Sequence, residues 1–87
     1  MTAAPPLASL ASLAVGSSAP VTSLALPERE AAWLRAVGLV EGISVTLLRK
    51  APFGGPVHLR LSSGLELALD LGLSRAVLVQ VAALAKP

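Results

Sequence analysis

The sequence predicts a single small, mainly β domain in which about five short strands curl into a barrel, with one short helix after the first strand. Three observations predict it. Apolar and polar residues alternate along residues 43–48, 57–62 and 65–71, the period of strands with one buried face. Clusters of Gly, Pro and Ser separate these stretches at residues 51–56 and 62–64. The chain has 87 residues, 54% hydrophobic and 14% charged, which is enough apolar surface for one core and too little length for two. The stretch from Gly38 to Pro56 organises the barrel.

Taken in order, residues 1–6 read as a disordered tail, residues 7–82 as the domain and residues 83–87 as a C-terminal tail. Residues 7–15 are expected to form a short turn or helix, since Leu7, Leu10 and Leu13 recur at spacing three. Gly16-Ser17-Ser18 is a loop, and residues 19–26 form a first strand that tolerates Pro20 near its start. Pro27 presets φ for a helix over residues 28–37, whose first turn carries Glu28 and Glu30 at the positive end of the dipole. Gly38 ends that helix by taking the left-handed conformation other residues adopt only at a cost. A helix of this length is marginal alone, so Ala31, Leu34 and Val37 are expected to dock it on the sheet. Trp33 is expected to be partly buried with them.

After Gly42 the period becomes two, with Ile43, Val45 and Leu47 inward and Ser44, Thr46 and Leu48 outward. The loop Ala51-Pro52-Phe53-Gly54-Gly55-Pro56 is made of turn formers, and beyond it Val57, Leu59 and Leu61 alternate with His58, Arg60 and Ser62. Parity decides the next hairpin. A two-residue turn at Ser63-Gly64 would place Arg60 opposite Leu67, mixing polar and apolar residues on one face. A three-residue loop with Gly64 left-handed pairs Leu61 with Leu65, Leu59 with Leu67 and Val57 with Leu69 on the core side, and sets Arg60 against Glu66 outside. Residues 72–75 are a short connection, and residues 76–82 a final strand with Val77, Val79 and Val81 inward.

Composition excludes several functions. The formal charge is +2, but the seven Lys and Arg residues are scattered, with only Arg49-Lys50 adjacent, and the aromatics are one Trp and one Phe. Neither a basic stripe nor a stacking platform for nucleic acid is available. With no cysteine there is no disulfide, thiolate metal site or thiol nucleophile, which suits a cytoplasmic protein. Residues 7–15 resemble the apolar part of a secretory signal but lack a basic start, and no apolar run approaches the ~20 residues of a membrane span. The single His58 faces outward, and no nucleophile, base and orienting group fall together, so an enzyme is not expected. Glu28 and Glu30 lie on different sides of their helix, which leaves a surface site using Glu41, Glu66 or Asp70 with His58; His58 and Glu66 are weak candidates for a divalent transition metal, and no confident cofactor is expected.

With these elements placed, the chain resembles the FeoA family of ferrous iron transport proteins. The resemblance begins with Leu10, Leu13 and Gly16 and with Val21 in the first strand. Its strongest piece is Leu34-Arg35-Ala36-Val37-Gly38-Leu39-Val40-Glu41-Gly42-Ile43-Ser44-Val45, similar to the family's R-L-x-x-M-G-L-x-x-G-x-x-V segment. Arg49-Lys50-Ala51-Pro52-Phe53-Gly54-Gly55-Pro56-Val57 is similar to its R-x-A-P-x-G-x-P turn, and Leu67-Ala68-Leu69 and Ser74-Arg75-Ala76-Val77-Leu78-Val79 to its closing segments. Val37 stands where the family often has Met, Asp70-Leu71 where it often has basic residues, and Leu73-Ser74 where it often has Glu-Ala.

The resemblance implies an SH3-like barrel and a cytoplasmic accessory protein of ferrous iron uptake, acting by contact on the membrane GTPase permease FeoB and reaching the membrane only through it. The expected partner-binding residues are Phe53, Leu48 and Leu78, with Trp33 if the helix leaves it uncovered. Gly38, Gly42, Gly54, Gly55, Pro56 and Gly64 are expected to be structural turns. Apolar edge strands leave a homo-oligomer open. The alternative is a metal-binding or metal-sensing module related to the C-terminal domains of iron-dependent repressors.

Overall fold

The computed structural model describes residues 7–81. The tails expected at residues 1–6 and 83–87, and Ala82 at the end of the expected last strand, lie outside the described residues. Six strands form one antiparallel sheet: β1 (Leu7–Ser9), β2 (Ser18–Leu24), β3 (Ser44–Lys50), β4 (Val57–Leu61), β5 (Glu66–Leu69) and β6 (Val77–Gln80), in the order β1-β6-β2-β3-β4-β5. Helix α1 (Glu28–Ala36) joins β2 to β3, and a short helix α2 (Leu71–Ala76) joins β5 to β6.

The sheet turns a corner inside β2. Ser18, Ala19 and Pro20 pair with β3, whereas Val21, Ser23 and Leu24 pair with β6, with an irregular step at Thr22. Val21 stands at the switch, donating its N–H to Ile43 O (2.8 Å) and accepting from Gly42 N–H (2.7 Å). A strand that changes partners through a bulge bends both halves of its sheet toward a common interior. That interior is aliphatic, with Leu10, Leu34, Leu39, Val45, Leu47, Leu59, Leu61, Val77 and Val79 among the fully buried side chains.

Most elements fall where the periodicity puts them. Helix α1 begins after Pro27, buries Ala31 and Leu34, and ends before Gly38, whose φ is 107°. The hairpin of β4 and β5 has the expected register, with Val57 opposite Leu69, Leu59 opposite Leu67 and Arg60 opposite Glu66. Gly64 has φ 100°, its N–H reaches Leu61 O (2.8 Å), and Leu61 N–H reaches Leu65 O (2.8 Å), closing a three-residue loop.

Four expectations are corrected. Residues 7–9 are strand, not turn or helix, because β1 pairs with β6, Leu7 with Gln80 and Ser9 with Leu78; helical geometry survives only as a single 3-10 turn over Leu10–Ser12. Residues 71–76 are a helix where a connection over residues 72–75 was expected, with Leu71 in the strand before it and Ala76 in the strand after, so β5 stops at Leu69 and β6 starts at Val77. The half-buried Leu71 and Leu73 hold α2 to the core, and the buried Ser74 hydroxyl donates to Asp70 O at 2.9 Å. Leu65 closes the hairpin but is 45% exposed, since the sheet has already curved away at the turn. Trp33 is 55% exposed, standing on the solvent side of α1 between Ala31 and Leu34, which carry the docking.

Candidate functional site

The loop between β3 and β4 carries the most exposed large apolar side chain among the described residues, and its shape follows from its residues. Ala51 N–H donates to Pro56 O (2.9 Å), so Pro56, which has no N–H of its own, serves as acceptor. Gly55 N–H donates to Pro52 O (3.2 Å), making Pro52-Phe53-Gly54-Gly55 a tight turn. Both central residues have positive φ, Phe53 at 59° and Gly54 at 76°, as in the mirror-image turns that suit the twist of a hairpin. Gly55 is needed for room: a Cβ there would lie 2.7 Å from the Ala51 Cβ.

Phe53 is the single non-glycine residue with positive φ among the described residues, and its relative exposure is 103%. Left-handed backbone disfavours a side chain of this size by roughly 1–2 kcal/mol, and no burial offsets that cost. Strain of this kind collects at functional sites. Arg49 and Lys50 lie exposed at the base of the loop. The ion pairs among the described residues join Arg35 to Glu28 and Glu41, and Arg60 to Glu66, so neither base cation has a carboxylate partner there.

The other expected contact residues are dispersed. Leu48 is half-buried at a bulge, where Leu47 pairs with Leu59 and Arg49 with His58, leaving Leu48 without an opposite residue. Leu78 is half-buried in β6, flanked by Ser9 and Ser23 on the two neighbouring strands. Trp33 stands exposed on α1, a separate element from the loop.

His58 and Glu66 lie on the paired strands β4 and β5, two residues apart in register. His58 is half-buried, with Arg49 opposite on one side and Ala68 on the other. Glu66 accepts from Arg60 Nε (3.2 Å) and Nη2 (3.0 Å), both at its Oε2. Among the described residues no three of His, Cys, Asp or Glu form a group able to hold a metal ion.

A clamp not anticipated from the sequence orients the approach to β3. Arg35 donates to Glu41 through Nε (3.3 Å) and Nη2 (2.9 Å), and its Nη1 lies 3.7 Å from Glu28. The hydrogen bond to Glu41 raises the Arg35 pKa, and the same bond lowers that of Glu41. Opposite charges on either side of a helix-ending glycine are the signal that would have revealed it.

The FeoA domain model matches residues 8–81. The solution structure of the FeoA protein from Chlorobium tepidum is 31% identical, with a TM-score of 0.78 over 86% of this chain and 70% of that one. FeoA from Stenotrophomonas maltophilia, described as a prokaryotic SH3-domain protein and complexed with zinc, is 29% identical, with a TM-score of 0.70 over 83% of this chain and 88% of that one. A manganese-dependent transcriptional repressor shares the fold at a TM-score of 0.81 and 16% identity, over 90% of this chain but only 43% of its own length. No curated protein matches the chain. The mainly β fold with its corner-turning sheet is SH3-like, as the family resemblance implies.

Proposed function

This chain belongs to the FeoA domain family, and from that premise we propose that it is an accessory protein of ferrous iron uptake that regulates a FeoB-type membrane GTPase permease by direct contact, without turnover. The observation that carries the reading is Phe53, a wholly exposed aromatic held in left-handed backbone at the tip of a hairpin. An aromatic anchor on a short, proline-flanked turn loses little conformational freedom when it enters a partner's pocket. The cations Arg49 and Lys50 at its base suit an acidic rim around that pocket. No helix among the described residues is long and apolar enough to cross a membrane, so membrane attachment in this reading runs through the permease from its cytoplasmic side.

The test is binding of the chain to the cytoplasmic domain of FeoB, measured without nucleotide, with GDP and with a GTP analogue. Binding in at least one state, weakened tenfold or more in Phe53→Ala while the melting curve stays in place, is the expected result. Absence of binding in every state overturns the proposal. Anaerobic titration with iron(II), with His58→Ala as control, is the second arm, since the Stenotrophomonas relative is seen with zinc. Tight stoichiometric binding that depends on His58 would favour metal sensing over contact.

A further inference from the structure

β5 is an outer strand of the sheet, paired with β4 on one side. Leu61 N–H bonds to Leu65 O, so Leu65 directs its backbone groups toward β4, and alternation does the same for Leu67 and Leu69. The N–H and C=O groups of Glu66 and Ala68 therefore point away from β4. No hydrogen bond within the described residues engages them from the other side. Unlike β2 and β3, this strand has no bulge, and it holds neither Pro nor Lys; its edge is limited by its four-residue length and by the charge of Glu66. On the core side Leu65, just before the strand, is 45% exposed, and Leu67 is half-buried against the core.

Two copies of this edge can meet in a register that the charges select. For an antiparallel copy of the same strand, hydrogen bonds must join the even-numbered residues, which leaves three symmetric registers. Centring on Glu66 sets that carboxylate against its own copy. Centring on Ala68 sets Glu66 against the second copy's Asp70. Centring on Leu67 sets Glu66 against Ala68, Leu67 against Leu67 and Leu65 against Leu69, with no like charges opposed. We propose that two copies of this chain associate through the edges of β5, antiparallel and two-fold symmetric about Leu67. The pairing is isologous, extends the sheet across both molecules and covers Leu65.

Sedimentation velocity on the full chain, from micromolar to low millimolar concentration, tests this with exposed substitutions at Ala68. The wild type is expected to associate as concentration rises. Ala68→Lys, which sets two ammonium groups opposite two Glu66 carboxylates, should tighten association by about 2- to 30-fold. Ala68→Glu should weaken it by a similar factor. Ala68→Pro removes an N–H that points away from β4 and should abolish association, with the melting transition showing that the fold persists. Adding Glu66→Gln to Ala68→Lys should cancel the gain. A wild type and Ala68→Lys that both stay monomeric throughout would overturn the proposal, as would association indifferent to the charge or to the proline at position 68.

Discussion

Arg35 holds Glu41 with two hydrogen bonds, 3.3 and 2.9 Å long, across the turn that ends α1 and opens β3. The helix stop at Gly38 reverses the chain so that a residue in the last turn of the helix meets one six positions later. Both side chains are solvent-exposed, so the pair steers the turn more than it stabilises the fold.

That pair has a pH signature. Glu41 has a lowered pKa in the folded chain, so its contribution is complete at neutral pH and disappears as pH falls through the folded value, on the acid side of the usual carboxylate range. Arg35 has a raised pKa, so its contribution is present below its ordinary value and disappears only in strong alkali. Melting temperatures measured from neutral pH down to about pH 3 should fall less steeply for Glu41→Gln than for the wild type.

Gly38→Ala should destabilise the chain by about 1–2 kcal/mol, because φ is 107° while the space for a methyl group is adequate, with Leu61 Cδ1 3.6 Å away. Urea unfolding should show a lower midpoint with an unchanged slope, since the loss is conformational and the buried surface stays the same.

Gly55→Ala should destabilise for a different reason. Its new Cβ meets the Ala51 Cβ at 2.7 Å and Pro52 O at 3.2 Å, which forces the loop open. Ala51→Gly combined with Gly55→Ala should recover part of the loss, a coupling visible in a double-mutant cycle of melting temperatures.

Replacing Phe53 separates strain from recognition. Phe53→Ala should change stability by less than about 0.5 kcal/mol, as for other exposed positions. Phe53→Asn should be neutral or stabilising by up to about 1 kcal/mol, since Asn tolerates left-handed backbone better. Thermal unfolding checks both, and a large loss in either would make Phe53 a structural residue.

Leu34→Ala should cost about 2–5 kcal/mol. Leu34 is fully buried and is one of two residues that dock α1 on the sheet. For a domain of this size that is a large share of the total stability, and loss of a cooperative melting transition is the expected outcome.

The candidate site was legible in part. Phe53 was accessible to sequence reasoning because turn formers surround it, and such a loop projects from a hairpin whatever the rest of the fold does. The left-handed φ of Phe53 was not, because nothing in Pro-Phe-Gly-Gly says which pair of residues takes the tip. Leu48 reads as outward by strict alternation, but the bulge beside Arg49 breaks the alternation and half-buries it. Trp33 was expected to dock because large aromatics usually fill small cores. The core is closed by leucines and valines instead, and the solvent side of α1 is where Trp33 is left.

By itself the sequence determined what rests on short-range regularity: the strands β3, β4 and β5, the register of the β4–β5 hairpin and the extent of α1. Side-chain parity and residues suited to positive φ act within a few positions, so no knowledge of distant partners is needed to read them. Tertiary structure decided β1, α2 and the corner in β2. Leu7 to Ser9 become a strand because β6, from the far end of the chain, supplies their hydrogen bonds. Leu71 to Ala76 become a helix because Leu71 and Leu73 find the core, although glycine and serine weaken the segment. In both places local preference is nearly balanced, and contacts between residues remote in sequence settle the outcome.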